Sequence, residues 1–455
     1  VRSLLVPFAV AALAGCASEG VARPPLPVAG EAPATTTPEH AASPAPASEL
    51  SGPLRLETLL PMLLERNPGV RAARARLEAA AQRYPQAISL PDPMVEATWY
   101  AKNAMDPDSP HERYDLMIKQ EFPFPTVLSL RGDAATKEAE AEALRYEAAV
   151  RDAVADLKDV EAERAYLVGA ARVQAALADV YRRYAELARG DAASGRAQLP
   201  ESFRAEALLA QAKYETTLID DVRRVEDQRL RALLSLPSTT ALGEPADASP
   251  PSRIDVDIDA LARRAIEHNQ ELRTAGVEVE VAGVGARLAR WAYAPTFEIG
   301  GGPMINDEFD MASGRRTDST VLTFGLTLPI WYGARDAGVR EADAKVRAAR
   351  AVESGERERV VADVARVAFR VRNSSRLAEL YGKELVPQAE SALVRSQSMM
   401  KEGKESLASS LELAATWQQL RIAELRSVAD EAQAIAALER LLGTSLDAAS
   451  SEAGR

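Results

Sequence analysis

Residues 128–187 read LSLRGDAATKEAEAEALRYEAAVRDAVADLKDVEAERAYLVGAARVQAALADVYRRYAEL, sixty positions without a proline. At 1.5 Å per residue an uninterrupted helix of that length extends about 90 Å. Tyr166, Ala170, Val173, Leu177, Val180, Tyr184 and Leu187 keep the alternating four-and-three spacing of a coiled-coil seam. A turn is expected around Gly190 to Pro200, and a return helix from about Glu201 to Leu234. A second hairpin of the same kind is predicted from about Arg335 to Gln397, with Val360, Val364, Val367 and Val371 in the seam, and back from about Ala408 to Leu442. Hairpins of this length cannot bury their faces inside a compact monomer. They must pack laterally, on their own copy or on neighbouring protomers.

The two hairpins belong to a repeat of the whole chain. Glu65, Asn67, Val70 and Arg71 recur 202 residues later as Glu267, Asn269, Leu272 and Arg273, and Pro93 and Glu96 as Pro295 and Glu298. Pro123 pairs with Pro329 at a spacing of 206, and Gly195, Arg196 and Leu199 with Gly403, Lys404 and Leu407 at 208. The spacing is expected to drift through insertions in loops. Each copy reads helix, strand, strand, long helix, helix, the first opening with an amphipathic helix from about Glu57 to Ala87.

Between the helices lie strand patterns. Val95, Ala97 and Trp99 alternate with Glu96 and Thr98, and Tyr114, Leu116 and Ile118 with Asp115 and Lys119. In the second copy Phe297 and Ile299 flank Glu298, and Leu322, Phe324, Leu326 and Leu328 alternate with Thr323, Gly325 and Thr327. Polar loops, 102–113 and 303–319, join each pair. Short strands with one apolar and one polar face suit a membrane-spanning barrel, a sandwich, or a small sheet capping a helical domain.

Composition narrows the function. The 455 residues carry 55 Lys plus Arg against 67 Asp plus Glu, a formal charge of -12, and only 5% are aromatic. An acidic chain is a poor partner for nucleic acid. One cysteine, Cys16, and three scattered histidines, His40, His111 and His268, build neither a disulfide nor a Cys/His metal cage. The sequence carries no Ser-His-Asp order, P-loop or GxGxxG, so neither catalysis nor energy coupling is expected in this chain.

The amino terminus reads as an address. Residues 1–15 form a basic start and a short apolar run, as in a secretory signal, ending in Leu13, Ala14 and Gly15 before Cys16. This tetrad resembles the bacterial lipobox, which implies cleavage and a covalent lipid on Cys16; loss of Arg2 would then take the charge to -13. Ala17 and Ser18, in place of an Asp, imply passage to the outer membrane. Residues 16–53 form a tether, with eight of the 27 prolines falling within 17–53. The first repeat then spans 54–236, a linker 237–253, the second repeat 254–443, and a tail 444–455.

The stretches LLERNPGVRAA, PDPMVEATW, QEFPFP, SGRAQL, LVPQAE and MMKEGKESL, in that order along the chain and several of them twice over, resemble TolC-type outer-membrane efflux channels, in the lipidated branch of CusC- and CzcC-like proteins. The resemblance covers about 54–443. It implies a mainly α fold: long antiparallel coiled-coil hairpins forming an α-barrel, and four strands per protomer that complete a transmembrane β-barrel in a homotrimer. It also implies a passive export duct for small molecules or metal ions, served by a periplasmic adaptor protein and an inner-membrane pump, with no cofactor beyond the lipid on Cys16. A lipid-anchored periplasmic coiled-coil scaffold without a pore is the competing reading.

The same resemblance assigns sites. Gly195, Arg196 and Leu199 with Gly403, Lys404 and Leu407 become the periplasmic tips that contact the adaptor. The aperture positions fall on Ser409 and Glu412, where only Glu412 keeps the acid, and the gating acid of the first hairpin falls on Glu201; its usual basic partner position holds Glu405, with Lys404 beside it. Met399 and Met400 stand beside the second tip, facing different directions on a helix, so packing is expected rather than metal contact. Within LVPQAE, Pro387 sits inside an otherwise helical run and should bend it.

Overall fold

The computed structural model describes residues 50–100, 113–193, 199–245, 257–306, 309–310, 315–316, 318–402 and 404–446, apart from 51 and 445. Cys16, Gly195, Arg196 and Gly403 lie outside the described residues, as do residues 1–49 and 447–455, which hold the proposed signal and most of the proposed tether and tail. The first repeat contains α1 (Leu56–Arg66), α2 (Pro68–Ala81), α3 (Arg83–Ile88), β1 (Met94–Tyr100), β2 (Arg113–Phe122), α4 (Pro125–Ala193) and α5 (Leu199–Leu233). In the second are α6 (Ile258–His268), α7 (Gln270–Arg290), β3 (Thr296–Asn306), β4 (Phe309–Asp310), β5 (Arg315–Arg316) and β6 (Ser319–Thr327). They are followed by α8 (Tyr332–Leu380), a π turn (Tyr381–Leu385), α9 (Val386–Lys401) and α10 (Leu407–Leu442).

The long helix is present and longer than expected: α4 has 69 residues, about 100 Å at 1.5 Å each. The repeat extends to the packing. Leu59, Leu63, Ala153, Leu157, Val160, Leu230 and Leu234 form one buried cluster of the first copy. In the second, Leu261, Ala265, Val360, Val364, Val367, Leu438 and Leu442 pack at the matching positions.

Three expectations are corrected. The single helix from Glu57 to Ala87 is three helices. Asn67 leaves the helical region at φ -57°, ψ 124°, as a residue before proline tends to, and its side chain caps the next helix by accepting from Val70 N–H at 3.1 Å. Asn269 does the same ahead of Gln270, accepting from Leu272 N–H at 2.9 Å, so the cap works with or without the proline. The loop 303–319 is partly strand, since β3 continues to Asn306 and β4 and β5 form a small hairpin beyond it.

The third correction concerns spacing. Buried Leu157 and Val160 match Val364 and Val367 at 207, whereas buried Ala178 and Ala185 match Val386 and Leu393 at 208. The extra residue is inside a helix, not in a loop. It is absorbed by the π turn, where Val386 N–H bonds Tyr381 O, five residues back, just before Pro387. A proline cannot donate to the carbonyl four residues earlier, and the wider turn accommodates that missing bond.

The strands form one antiparallel sheet in the order β1-β2-β3-β6. The register fixes two faces: Val95 opposes Ile118, Ala97 opposes Leu116 and Trp99 opposes Tyr114, while Phe297 opposes both Phe122 and Leu326. Against these, Glu96, Lys119, Glu121, Glu298 and Thr323 lie on the other face. The β2–β3 ladder is interrupted at Gly302 and Pro303. A Cβ on Gly302 would lie 1.8 Å from Leu116 O, so only glycine fits there.

Candidate functional site

Among the described residues, nothing covers the apolar face of the sheet. Val95, Trp99, Ile118, Ile299, Leu322 and Phe324 all stand exposed on it, Leu322 at 85% and Phe324 at 71%. Monomeric proteins in water rarely expose so continuous an apolar patch. Aromatic side chains mark both of its ends: Trp99 stacks on Tyr114 near the distal loops, and at the opposite rim Phe124 stacks on Trp291 with centroids 5.0 Å apart. Tyr293 and Tyr332 stack beside them at 6.4 Å, next to exposed Trp331. Aromatic girdles flanking an apolar band are the signature of a strand surface in lipid. This rim was missed in the sequence, although Trp291, Tyr293, Trp331 and Tyr332 cluster immediately before β3 and after β6.

The polar face is charged. Lys119 Nζ donates to Glu96 Oε2 at 2.6 Å, and Glu121 stands directly opposite Glu298 in the register, next to Gly325. Two carboxylates so placed are tolerated in water and costly in hydrocarbon. One face is thus suited to lipid and the other to an aqueous lumen.

Below the sheet the helices stand in a row. α5 packs along α4, α4 along α10, and α10 along α8. The shorter helices complete the upper wall by stacking end to end on the return helices. Asn67 Nδ2 donates to Leu233 O at 3.0 Å, holding α2 on the end of α5, and Asn269 Nδ2 donates to Leu441 O at 3.0 Å, holding α7 on α10. Both return helices end in left-handed backbone, at Ser235 (φ 50°) and Gly443 (φ 68°). The Ser235 hydroxyl bonds Arg66 O at 3.1 Å; at Gly443 a Cβ would come within 2.3 Å of His268 O. The repeated Asn is therefore the joint of the stack.

The seam between the repeats, α4 against α10, is polar. Arg426 reaches Glu163 at 2.7 Å, Asp430 at 2.6 Å and Gln433 at 3.0 Å, with its guanidinium over the Tyr166 ring. Buried Gln174 accepts from Gln418 and donates to Glu215, and Lys158 pairs with Glu439. Burial raises the Tyr166 ionisation above its ordinary value in this seam, and does the same for Glu431 on the other side of α10, beside Ser375 of α8.

At the lower end the two hairpins share one core. Leu177, Tyr181 and Tyr184 of α4, Ala205 and Leu209 of α5, Leu393 of α9 and Leu411 of α10 are buried together. Ser396 and Ser410 join their hydroxyls within it at 2.7 Å. Leu407 is half-buried against this core, whereas Lys404 is exposed and pairs with Glu402 at 2.6 Å. Ser409 is half-buried, with its hydroxyl on Glu405 Oε1 at 2.7 Å, and Glu412 is exposed. Leu199 and Glu201 lie in the first turns of α5. Met400 packs on the core and Met399 turns to solvent. Among the described residues, no group of three His, Cys, Asp or Glu side chains is gathered for a metal, and no helix is long and apolar enough to cross a membrane.

Similar folds are found among solved structures. A membrane protein of Pseudomonas aeruginosa is 19% identical, covers 90% of this chain and 99% of its own, and superposes with a TM-score of 0.74. The outer membrane protein VceC of Vibrio cholerae is 19% identical over 86% of this chain and 96% of its own, at a TM-score of 0.71. The open state of the MtrE outer membrane channel of Neisseria gonorrhoeae is 18% identical over 88% and 92%, at 0.70. No match is found among curated protein sequences. The family of outer membrane efflux proteins matches residues 59–236 and 261–444, most of the chain and both repeats, and the protein belongs to that family.

Proposed function

We propose that three copies of this chain, each held by a lipid on Cys16, form the passive outer-membrane duct of a tripartite efflux system. As an outer membrane efflux protein it is a transport channel and not an enzyme. The observation that carries the reading is the sheet: four strands with one bare apolar face, a charged opposite face, and open edges at β1 and β6. Four strands cannot close a barrel, while twelve make an even number in the range of membrane barrels. Joining β6 of one copy to β1 of the next leaves no edge exposed.

The helix row then continues the barrel into the periplasm as a tunnel. Its lower end presents Gly195, Arg196, Leu199, Gly403, Lys404 and Leu407 to an adaptor protein, which links the duct to an inner-membrane pump. Glu412, exposed on α10, would form a ring of three carboxylates near the aperture, with Glu201 and Ser409 close by; such a ring favours cations. Reconstitution of the purified full-length protein in planar bilayers tests the duct. Stepwise single-channel conductance is expected, reduced in cation preference by Glu412→Gln; a protein that inserts without conducting would favour the scaffold reading.

A further inference from the structure

Where α7 stacks end to end on α10, between α4 and α8, the wall holds a cavity of about 300 Å³. Five arginines line it: Arg151 of α4, Arg359, Arg366 and Arg370 of α8, and Arg440 of α10. Three carboxylates stand among them, each held by a different arginine. Asp152 is paired with Arg440 at 2.6 Å, Glu271 with Arg359 at 2.7 Å and Asp363 with Arg366 at 2.8 Å. Arg151 and Arg370 are left over, with no hydrogen bond or ion pair among the described residues. Arg151 is half-buried, and burial holds its ionisation below the usual guanidinium value, since a cation is costly where water is scarce.

The fold alone does not call for these cations. α7 begins and α10 ends at the joint, so their helix dipoles offset one another and side chains set the field. In the first repeat, 207 residues earlier, Arg359, Arg366 and Arg370 are Asp152, Asp159 and Glu163, and 208 residues earlier Arg440 is Ala232. One face of the long helix is thus basic in α8 and acidic in α4, and a chain of formal charge -12 gathers an excess of cations in one pocket.

The shape of the pocket narrows the ligand. On α8, Arg359, Arg366 and Arg370 stand about a quarter turn from Val360, Val364 and Val367, which pack under α6. The cavity therefore opens on the face of the helix row that α6 leaves clear. Its floor is apolar, made by Val367, Ala437 and Leu441. The two free guanidinium forks flank that floor, one from α4 and one from α8, and such a fork binds a carboxylate through two parallel N–H donors. Cations on either side of an apolar floor fit a carbon skeleton that carries carboxylates at its ends. An inorganic ion would leave the floor and most of the volume unused.

We infer that this cavity is a binding site for a small organic polycarboxylate, one per chain, anchored by Arg151 and Arg370. In the duct reading the clear face of the row is the lumen, and the site holds an anionic solute in passage. Only that placement rests on the duct reading; every lining residue belongs to one chain.

The test is isothermal titration of the purified full-length protein in detergent with citrate, at constant ionic strength. Saturable binding of one citrate per chain is expected. Arg151→Gln combined with Arg370→Gln should weaken it by about tenfold or more, through the loss of two charge-assisted contacts. Arg74→Gln combined with Arg182→Gln removes the same charge from exposed positions outside the cavity and should leave the affinity unchanged. Arg370→Gln alone, at an exposed position, reads the same direction should the first pair fail to fold. Absence of saturable binding, equal weakening by both pairs, or tighter binding of inorganic phosphate than of citrate overturns the site. A monomer that binds citrate keeps the site and overturns the duct; a conducting trimer that binds none does the reverse.

Discussion

The α4–α10 seam and the free edge of α5 occupy equivalent places in the repeat and have opposite chemistry. In the internal seam Arg426 and Gln433 bond Glu163 and Asp430 bonds Arg426; these three residues of α10 correspond to Leu218, Val225 and Val222 on the edge, in that order. The difference follows from how each contact forms. Within one chain the helices are already tethered, so a hydrogen-bonded ionic seam can set register without supplying much net free energy. Between chains, association must offset lost translational and rotational freedom, and buried apolar area is the term that does so. Specificity is placed inside and driving force at the edge.

The largest effect expected from this contrast is on assembly. Leu218→Glu combined with Val225→Glu places two charges per copy in the apolar edge while leaving the internal seam intact. Native mass spectrometry in detergent should find monomers that retain full helical circular dichroism. Trimers of wild-type stability would erase the distinction between the two seams.

An intermediate effect is expected from the polar side. Arg426→Ala leaves the Glu163 carboxylate, itself mostly buried, and Gln433 without their main partner. A loss of about 1–3 kcal/mol is expected for a broken partly buried network, read as a lower melting temperature with the trimer still formed. Loss of trimers at unchanged stability would show that the polar seam, and not the apolar edge, governs assembly.

Much of this was legible because the repeat is written twice. The 60-residue helical run, the alternating strands and the order of Asn, Pro and Gly landmarks gave the hairpins, the sheet and their duplication. What escaped has physical causes. Asn67 and Asn269 marked the repeat, but only three-dimensional stacking reveals that their side chains bond Leu233 O and Leu441 O, because partners 166 and 172 residues away leave no local pattern. The π turn hid because one extra residue inside a helix leaves the apolar spacing nearly intact on either side. For the tips, resemblance supplied the assignments, and Leu407 shows its limit: a residue named for partner contact also packs on its own core.

The smallest effect tests whether the other face of α10, packed on α8 instead of α4, carries an unneeded charge. Glu431 is 1% exposed on α10; Ser375 lies beside its carboxyl, Oε2 has no partner, and burial pushes its ionisation above the ordinary carboxylate value. Below the unfolded-state value both states hold the proton and the group is neutral in the balance. As pH rises from there the unfolded chain ionises first, so stability falls until pH passes the raised folded-state value, and then levels. Glu431→Gln removes this dependence. The melting temperature of the variant should therefore match that of the wild type at pH 4 and exceed it at pH 7.5. A variant equally shifted at both pH values would mean that packing, and not charge, distinguishes the two side chains on the α8 face of α10.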